Sequence, residues 1–145
     1  MGLKIRSRTL NLSHDIPVER LKPYWEGLGK GVLMATQCES CGETSYPPQV
    51  DCPRCLSSDN VKWVEAGESG TLVTFTECQL KPQGFEQHPG NYIIAVVETN
   101  KGLKVAGWVV NAAIDQLSVG DRVAISTAIL PDGFPSIRFV PVKPD

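Results

Sequence analysis

Residues in the second half of the chain alternate between apolar and polar in short runs, a pattern typical of β-strands that shows almost no helical period. Ile93 to Val97 is continuously apolar, as expected for a central strand, whereas Val123, Ile125 and Thr127 alternate with polar or small neighbours, as in a strand with one face in water. We predict five strands, at residues 70–78, 92–98, 104–110, 122–128 and 136–140. A mostly β chain with five closely spaced strands favours a small Greek-key barrel of the OB type.

The first half predicts short helices and less regular structure. Asp15 precedes Pro17 and Glu19, which is a helix-start signal, and Pro23 predicts a break between two short helical segments. Two further strands are expected at 32–37 and 61–65. The first dozen residues also alternate, so the N-terminus is an edge strand, an arm that orders on a partner, or a disordered tail.

Four cysteines occur in two close pairs between those two strands. They are Cys38 with Cys41 and Cys52 with Cys55, and ten residues separate the pairs. Two residues between thiols allow one tight turn to direct both sulfurs at one point, and two such turns make a tetrahedral sulfur cage that suits zinc. The pattern predicts a zinc ribbon with all four cysteines as ligands. Because four protein ligands leave no open position for substrate, the predicted role of the metal is structural.

The four cysteines have two alternatives to zinc binding. Iron accepts the same tetrahedral sulfur set, and disulfides are a further alternative. The N-terminus lacks the apolar stretch of a secretory signal peptide, so we expect a cytoplasmic protein in which thiols stay reduced and bind metal. Cys78 stands apart in a predicted strand and is expected to be a small, partly buried side chain rather than a reactive thiol.

Composition and charge limit the choice of partners. The chain has 145 residues, a hydrophobic fraction of 41% and a net charge of −2, and no apolar run is long enough to span a bilayer. We expect an N-terminal arm with short helices at 1–31, the ribbon at 32–65 and the barrel at 66–145. From Ala66 to Asp145 there are 6 basic and 8 acidic residues, which argues against nucleic acid, since phosphate binding depends on Lys and Arg.

Binding of single-stranded nucleic acid is nevertheless the alternative function, because zinc ribbons and OB-folds occur in such proteins and aromatic side chains can stack on bases. The aromatic residues available for stacking are Phe75, Tyr92, Trp108, Phe134 and Phe139. Packing inside the barrel is the competing interpretation for them.

The order of helix, ribbon and barrel, with several motifs, resembles the acyl-CoA-associated family of rubredoxin-like zinc ribbons fused to OB-folds, long catalogued as a domain of unknown function. In the first half the motifs are Tyr24-Trp25-Glu26-Gly27, Cys38-Glu39-Ser40-Cys41-Gly42, Pro47-Pro48 and Cys52-Pro53-Arg54-Cys55. In the barrel they are Gly70-Thr71-Leu72-Val73, Ile94-Ala95-Val96-Val97-Glu98, Ser118-Val119-Gly120-Asp121 and Phe139-Val140-Pro141. The resemblance covers roughly residues 17–141.

One position departs from the family pattern. Leu56 stands where such a knuckle often has glycine. Because a left-handed backbone is strained with leucine, we expect the second turn to be shaped differently from the first.

The resemblance implies a small accessory subunit that docks on a thiolase, a hydroxymethylglutaryl-CoA synthase or a hydratase acting on acyl-CoA thioesters, and that helps to build the channel for the CoA arm. A thiolase is the expected partner, in a hetero-oligomer. The most specific expectation is the small subunit of a benzoylsuccinyl-CoA-type thiolase, which would serve aromatic degradation. A free acyl-CoA-binding protein without a partner is a third alternative.

The chain lacks the side chains for thiolase chemistry on its own, which needs a nucleophilic thiolate and acid–base groups. Four of the five cysteines are assigned to the metal, and the two imidazoles are His14 and His88. We therefore predict a subunit with no catalytic residue.

Candidate binding residues follow from loops and residue types. For CoA contact we favour the 81–91 loop with Phe85 and His88, since binding residues concentrate on loops of rigid barrels. Lys81, Lys101 and Lys104 are candidate contacts to the CoA phosphates, and a solvated surface charge is the alternative for each.

Tyr24 and Trp25 are candidate partner contacts, because large amphipathic side chains are favoured at interface centres. The alternative is that Trp25 packs the helix onto its own ribbon.

Overall fold

The computed structural model describes residues 3–7, 12–81 and 90–143, which form a short helix, a small ribbon sheet and a barrel. A 3-10 turn at Glu19–Leu21 leads into α1 (Lys22–Gly29). The ribbon strands are β1 (Met34–Cys38), β2 (Thr44–Ser45) and β3 (Val61–Glu65). The barrel strands are β4 (Ser69–Cys78), β5 (Tyr92–Thr99), β6 (Lys104–Val109), β7 (Arg122–Ile129) and β8 (Pro135–Pro141).

The two short helical segments are confirmed, but the predicted helix start at Asp15 is wrong. Helical structure begins at Glu19, and Val18 stands at the N-cap position without a side-chain cap. Ile16 precedes Pro17, and a residue before proline is disfavoured in the helical region. Pro23 lies in the first turn of α1, where its missing N–H is not needed.

The ribbon is a three-stranded antiparallel sheet in the order β2-β1-β3. Thr36 in the central strand is buried. Its hydroxyl donates a hydrogen bond to the Gln49 carbonyl at 2.8 Å and accepts one from the Gln49 amide at 2.8 Å. This pair fixes the segment between the cysteine pairs against β1.

The five predicted barrel strands are confirmed, and they close in the order β4-β5-β6-β8-β7, with β7 pairing back onto β4. Only the β6–β8 pairing is parallel among those recorded for the barrel. Leu72, Val97, Val123 and Phe139 point inward and are fully buried. At Gly70 an added Cβ would collide with the Glu98 carbonyl oxygen, so this strand approaches β5 too closely for a side chain.

Helix, ribbon and barrel share one continuous core. The buried cluster includes Leu28 from α1, Leu33 and Ala35 from the ribbon side, and the inward residues of the barrel. The Ala66 amide donates a hydrogen bond to the Leu33 carbonyl at 2.8 Å across the junction. No helix within the described residues has the length and apolar character needed to cross a membrane.

Candidate metal centre and apolar cavity

Each cysteine pair lies in a turn closed by the same backbone hydrogen bonds. The Gly42 amide donates to the Cys38 carbonyl at 2.9 Å, and the Leu56 amide donates to the Cys52 carbonyl at 3.0 Å. A second bond matches as well, since the Cys38 and Cys52 amides donate to the residues five positions on, at 2.8 and 2.9 Å. The two knuckles, residues 38–43 and 52–57, therefore have the same backbone design.

Both knuckles place a left-handed residue directly after the second cysteine. Gly42 has a φ of 77° and Leu56 a φ of 62°. The expectation that Leu56 would change the shape of the second turn is wrong, because the leucine adopts the conformation that glycine adopts in the first. A leucine there costs about 1–2 kcal/mol that glycine avoids. Its side chain is 83% exposed.

The two knuckles bring the four cysteine sulfurs together. All four Sγ atoms lie within 4.8 Å of one another, and the Cys38–Cys55 and Cys41–Cys52 sulfurs are 3.6 Å apart. Zn–S bonds of about 2.3 Å in a tetrahedron require S–S edges of about 3.8 Å. The predicted ligands Cys38, Cys41, Cys52 and Cys55 thus form a zinc-ribbon-type metal site, while Cys78 stands outside it and is partly buried, as expected.

The Ser57 side chain lies within hydrogen-bonding distance of two of the four sulfurs. Its hydroxyl lies 3.3 Å from Cys38 Sγ and 3.2 Å from Cys55 Sγ. Hydrogen bonding from Ser57, followed by the backbone amide at Cys41, lowers the pKa of Cys38 to about 6. The same hydroxyl lowers the pKa of Cys55. A hydroxyl has one hydrogen to donate, so Ser57 favours the metal-binding thiolate form at one of these two sulfurs at a time.

An exposed ion-pair network joins the residues that flank the second knuckle to the 3-10 turn before α1. Arg20 Nη2 lies 2.8 Å from Asp51 Oδ1 and 2.9 Å from Asp59 Oδ1, and Arg20 Nη1 lies 3.1 Å from Asp51 Oδ2. Hydrogen bonds from Arg20 and then Ser58 lower the pKa of Asp51 to about 2. The bidentate geometry orients the guanidinium, so the ion pairs hold the helix in a fixed position relative to the second knuckle.

A cavity of about 560 Å³ lies between α1 and the barrel. Its walls come from α1, the middle of three barrel strands and the β7–β8 hairpin. The lining residues are Tyr24, Trp25, Leu28, Thr74, Phe75, Thr76, Ile94, Ala95, Val96, Ala106, Gly107, Trp108, Leu130, Phe134, Pro135, Ser136 and Ile137. No charged residue of the described chain lines it, and its volume lies in the range of small-molecule sites. The cavity suits an apolar group.

Tyr24 and Trp25 form one wall of this cavity and pack within their own chain. The Tyr24 and Tyr46 hydroxyls are 3.3 Å apart, and Trp25 packs edge-on against Phe134 with ring centroids 6.4 Å apart. The Trp25 indole N–H is buried without an acceptor in the described chain. Such an unpaired buried group is unusual in a folded protein. The predicted partner contact of both residues stays a prediction.

The structure does not bring the three lysines predicted to contact CoA together. Phe85 and His88 lie outside the described residues. Lys101 and Lys104 lie at the β5–β6 turn, where Lys101 Nζ donates to the Glu65 carbonyl at 3.0 Å. Lys81 follows the other end of β4, and the eight residues of β5 separate the two ends by about 23 Å.

The aromatic residues considered for base stacking are mostly used within the fold. Phe139 is buried, and Phe75 packs against the core. Tyr92 and Trp108 stack on each other with centroids 5.0 Å apart. Phe134, at 58% exposure, is the member of the set most open to solvent.

Comparison with protein families matches both halves of the chain. Residues 25–61 match the rubredoxin-like zinc ribbon domain of ChsH2, and residues 63–128 match the C-terminal OB-fold domain of ChsH2.

Curated relatives carry names of two kinds. A DUF35 domain-containing scaffold protein of Methanocaldococcus jannaschii is 26% identical over 70% of this chain and 72% of its own length. A probable enoyl-CoA hydratase alpha subunit of Thermomonospora curvata is 27% identical over 74% of this chain but 33% of its own length.

Solved structures share the fold. A chain of the Ltp2-ChsH2(DUF35) aldolase superposes with a TM-score of 0.73 at 22% identity, covering 83% of this chain and 92% of that one. A DUF35 protein of unknown function from Sulfolobus solfataricus gives a TM-score of 0.55 at 14% identity, covering 83% and 84% of the two chains.

Proposed function

Since this chain belongs to the DUF35 family, in which a ChsH2-type zinc ribbon is joined to an OB-fold domain, we propose that it is a zinc-binding, non-catalytic accessory subunit of an enzyme that processes acyl-CoA thioesters. The observation that carries this proposal is the closed four-sulfur site. With Cys38, Cys41, Cys52 and Cys55 all directed at one point, a bound metal has no free position for substrate or water. The metal would hold the knuckles in place, and the chemistry would belong to a partner.

The names of the relatives support a scaffold role beside an enzyme. One relative is described as a scaffold protein, another as a hydratase subunit, and the structural relative is part of an aldolase assembly. Two of these names refer to enzymes, and one of them names a CoA thioester as substrate. More specifically, we propose that the partner is a thiolase, and in particular a benzoylsuccinyl-CoA-type thiolase.

The cavity provides a place for the apolar part of the acyl group. Tyr24, Trp25 and Phe134 give it aromatic walls, and the absence of charge in its described lining matches an acyl chain or ring rather than the CoA phosphates. Lys81 follows β4 and Lys104 begins β6, and both of these strands carry residues that line the cavity. We therefore propose Lys81 or Lys104, at opposite ends of the barrel strands, for contact with the phosphates.

Co-purification from the native source tests the function. We expect the tagged chain to bring down a stoichiometric acyl-CoA enzyme, with one zinc per chain by elemental analysis. We expect the isolated chain to be inactive toward a 3-ketoacyl-CoA and the partner to lose about tenfold or more of its activity without it. Purification of the chain alone, or thiolytic activity of the isolated chain, would contradict the proposal.

Titration with single-stranded oligonucleotides at low salt separates this function from the nucleic-acid alternative. We expect no tight binding, because the barrel half has no excess of basic residues. Tight binding that weakens steeply with salt would instead support nucleic acid as the ligand.

A further inference from the structure

We propose that Leu56 is the anchor by which the second zinc knuckle docks on the catalytic subunit, with its side chain entering an apolar pocket of that enzyme. This inference rests on the proposed function, and it adds which surface of the chain makes the contact.

The comparison of the two knuckles shows that folding does not require leucine at this position. The hydrogen bonds that close them have the same pattern, and their left-handed residues have φ angles of 77° and 62°. Gly42 fills this position in the first knuckle without strain. In the second knuckle Leu56 adopts the same conformation at a cost, so the backbone alone favours glycine at both positions.

The Leu56 side chain contributes little packing to the fold. It is 83% exposed, and it belongs neither to the buried cluster nor to the partly buried residues packed on it. A residue held in a strained conformation, with a large apolar side chain in water, is doubly unfavourable in the isolated chain. Such outliers persist at functional positions, where the strain is compensated by another contact.

Leu56 and Pro53 form the apolar part of an exposed tip of the second knuckle. Pro53, Arg54 and Cys55 are exposed beside Leu56. The Arg54 guanidinium lies 3.2 Å from the Glu43 carboxylate of the first knuckle, so its charge is partly neutralised there. The tip thus offers proline and leucine side chains, which fit an apolar pocket on a protein better than a charged ligand.

The tip is also rigid, which makes it suitable as an anchor. The four-sulfur site closes the knuckle, and Arg20 fixes its flanking residues Asp51 and Asp59. A preorganised contact loses little conformational freedom on binding. Because the metal ligand Cys55 is exposed next to Leu56, docking through this tip would cover the sulfur and slow the release of metal to a chelator.

The test measures stability and partner affinity on the same variants of the zinc-loaded full chain. The probe is the enzyme subunit that co-purifies with the natural chain, identified and then expressed and purified. For Leu56→Gly and Leu56→Asn, both compatible with a left-handed backbone, we expect an equal or higher melting temperature and a dissociation constant weakened about tenfold or more. Leu56→Met, which keeps an apolar side chain, is expected to bind like the natural chain.

Val119→Asn is the matched control, since Val119 is an apolar side chain at 70% exposure on the barrel, and we expect unchanged affinity. In the complex of the natural chain, zinc loss to a chelator should be slower than in the free chain, and this protection should be lost with Leu56→Gly.

If the enzyme binds Leu56→Gly as tightly as the natural chain, this inference is overturned while the proposed function stands. If Leu56→Gly abolishes only self-association, a second copy occupies the tip and the inference is equally wrong. If no acyl-CoA enzyme binds the natural chain, the proposed function itself fails.

Discussion

The Thr127 hydroxyl donates a hydrogen bond to the Leu28 carbonyl at 2.6 Å, across 99 positions of the sequence. Leu28 lies near the C-terminal end of α1, where carbonyl groups lack partners within the helix, and Thr127 lies in β7. The Leu28 carbonyl also accepts a hydrogen bond from the Gly31 amide at 3.4 Å, so the barrel adds a second and shorter bond at the end of the helix. The helix in turn forms a wall of the cavity. The Thr127 bond sets the position of Tyr24 and Trp25 relative to the barrel.

Replacing Thr127 by valine tests that link. Thr127→Val keeps the shape of the side chain but removes the donor, so we expect a loss of about 1 kcal/mol in the free energy of unfolding, measured by urea denaturation of the metal-loaded chain. Thr71→Val, on an exposed threonine of β4, is the control and should change little. Equal effects of the two substitutions would show that the bond to Leu28 does not stabilise the helix position.

Loss of one ligand sulfur should remove the metal and unfold the ribbon. Metal binding in structural four-ligand sites contributes about 10–16 kcal/mol that is coupled to folding, and the ribbon sheet is too small to replace it. We expect Cys52→Ala to bind less than one tenth of the natural metal content by elemental analysis and to lose ordered ribbon signals in NMR spectra. Cys78→Ala is the matched control, because Cys78 lies outside the cluster, and its full metal content is the expected outcome.

Removal of the Arg20 ion pairs should loosen the helix from the second knuckle. We expect Arg20→Gln to lower the melting temperature at pH 7, by less in 1 M salt because the pairs are exposed and screened. The pKa of Asp51 is lowered to about 2 from 3.8, so its contribution is complete above about pH 4 and is lost as the pH falls toward 2. The decrease in melting temperature caused by Arg20→Gln should therefore be constant between pH 5 and 8. Lys22→Gln, which removes an exposed i,i+4 ion pair with Glu26, is the control for the loss of a single surface ion pair. An effect that varied across that pH range would point to a different titrating partner.

The aromatic rim of the cavity should contribute to acyl-group binding in the assembled enzyme. Phe134→Ala removes a partly exposed ring that packs on Trp25, and we expect affinity for benzoyl-CoA to fall about tenfold with little change in melting temperature. Val142→Ala shortens an apolar side chain of similar exposure outside the cavity lining and should leave affinity unchanged. If both variants bind benzoyl-CoA like the natural complex, the acyl group lies elsewhere.

The sequence predicted the parts of this protein that local chemistry determines. The spacing of Cys38, Cys41, Cys52 and Cys55 identified the metal ligands, because two residues between thiols already fix a turn. Alternation and apolar runs placed the five barrel strands within one residue or so of their ends, because side-chain direction in a strand has a period of two residues. Local rules failed at Asp15 and at Leu56, where the conformation depends on the neighbouring proline and on closure of the whole knuckle.

Other features were decided only by the tertiary structure, because they join residues that are far apart in sequence. The cavity combines α1, three barrel strands and a hairpin, and the separation of Lys81 from Lys101 and Lys104 depends on which end of β5 each one meets. The strain at Leu56 likewise became visible only when its φ angle could be set beside that of Gly42. Sequence by itself determined the metal ligands and the positions of the strands along the chain, since these follow from spacing and periodicity. Chain folding decided the cavity and the exposed knuckle tip, since long-range packing determines which side chains are enclosed and which are left in water.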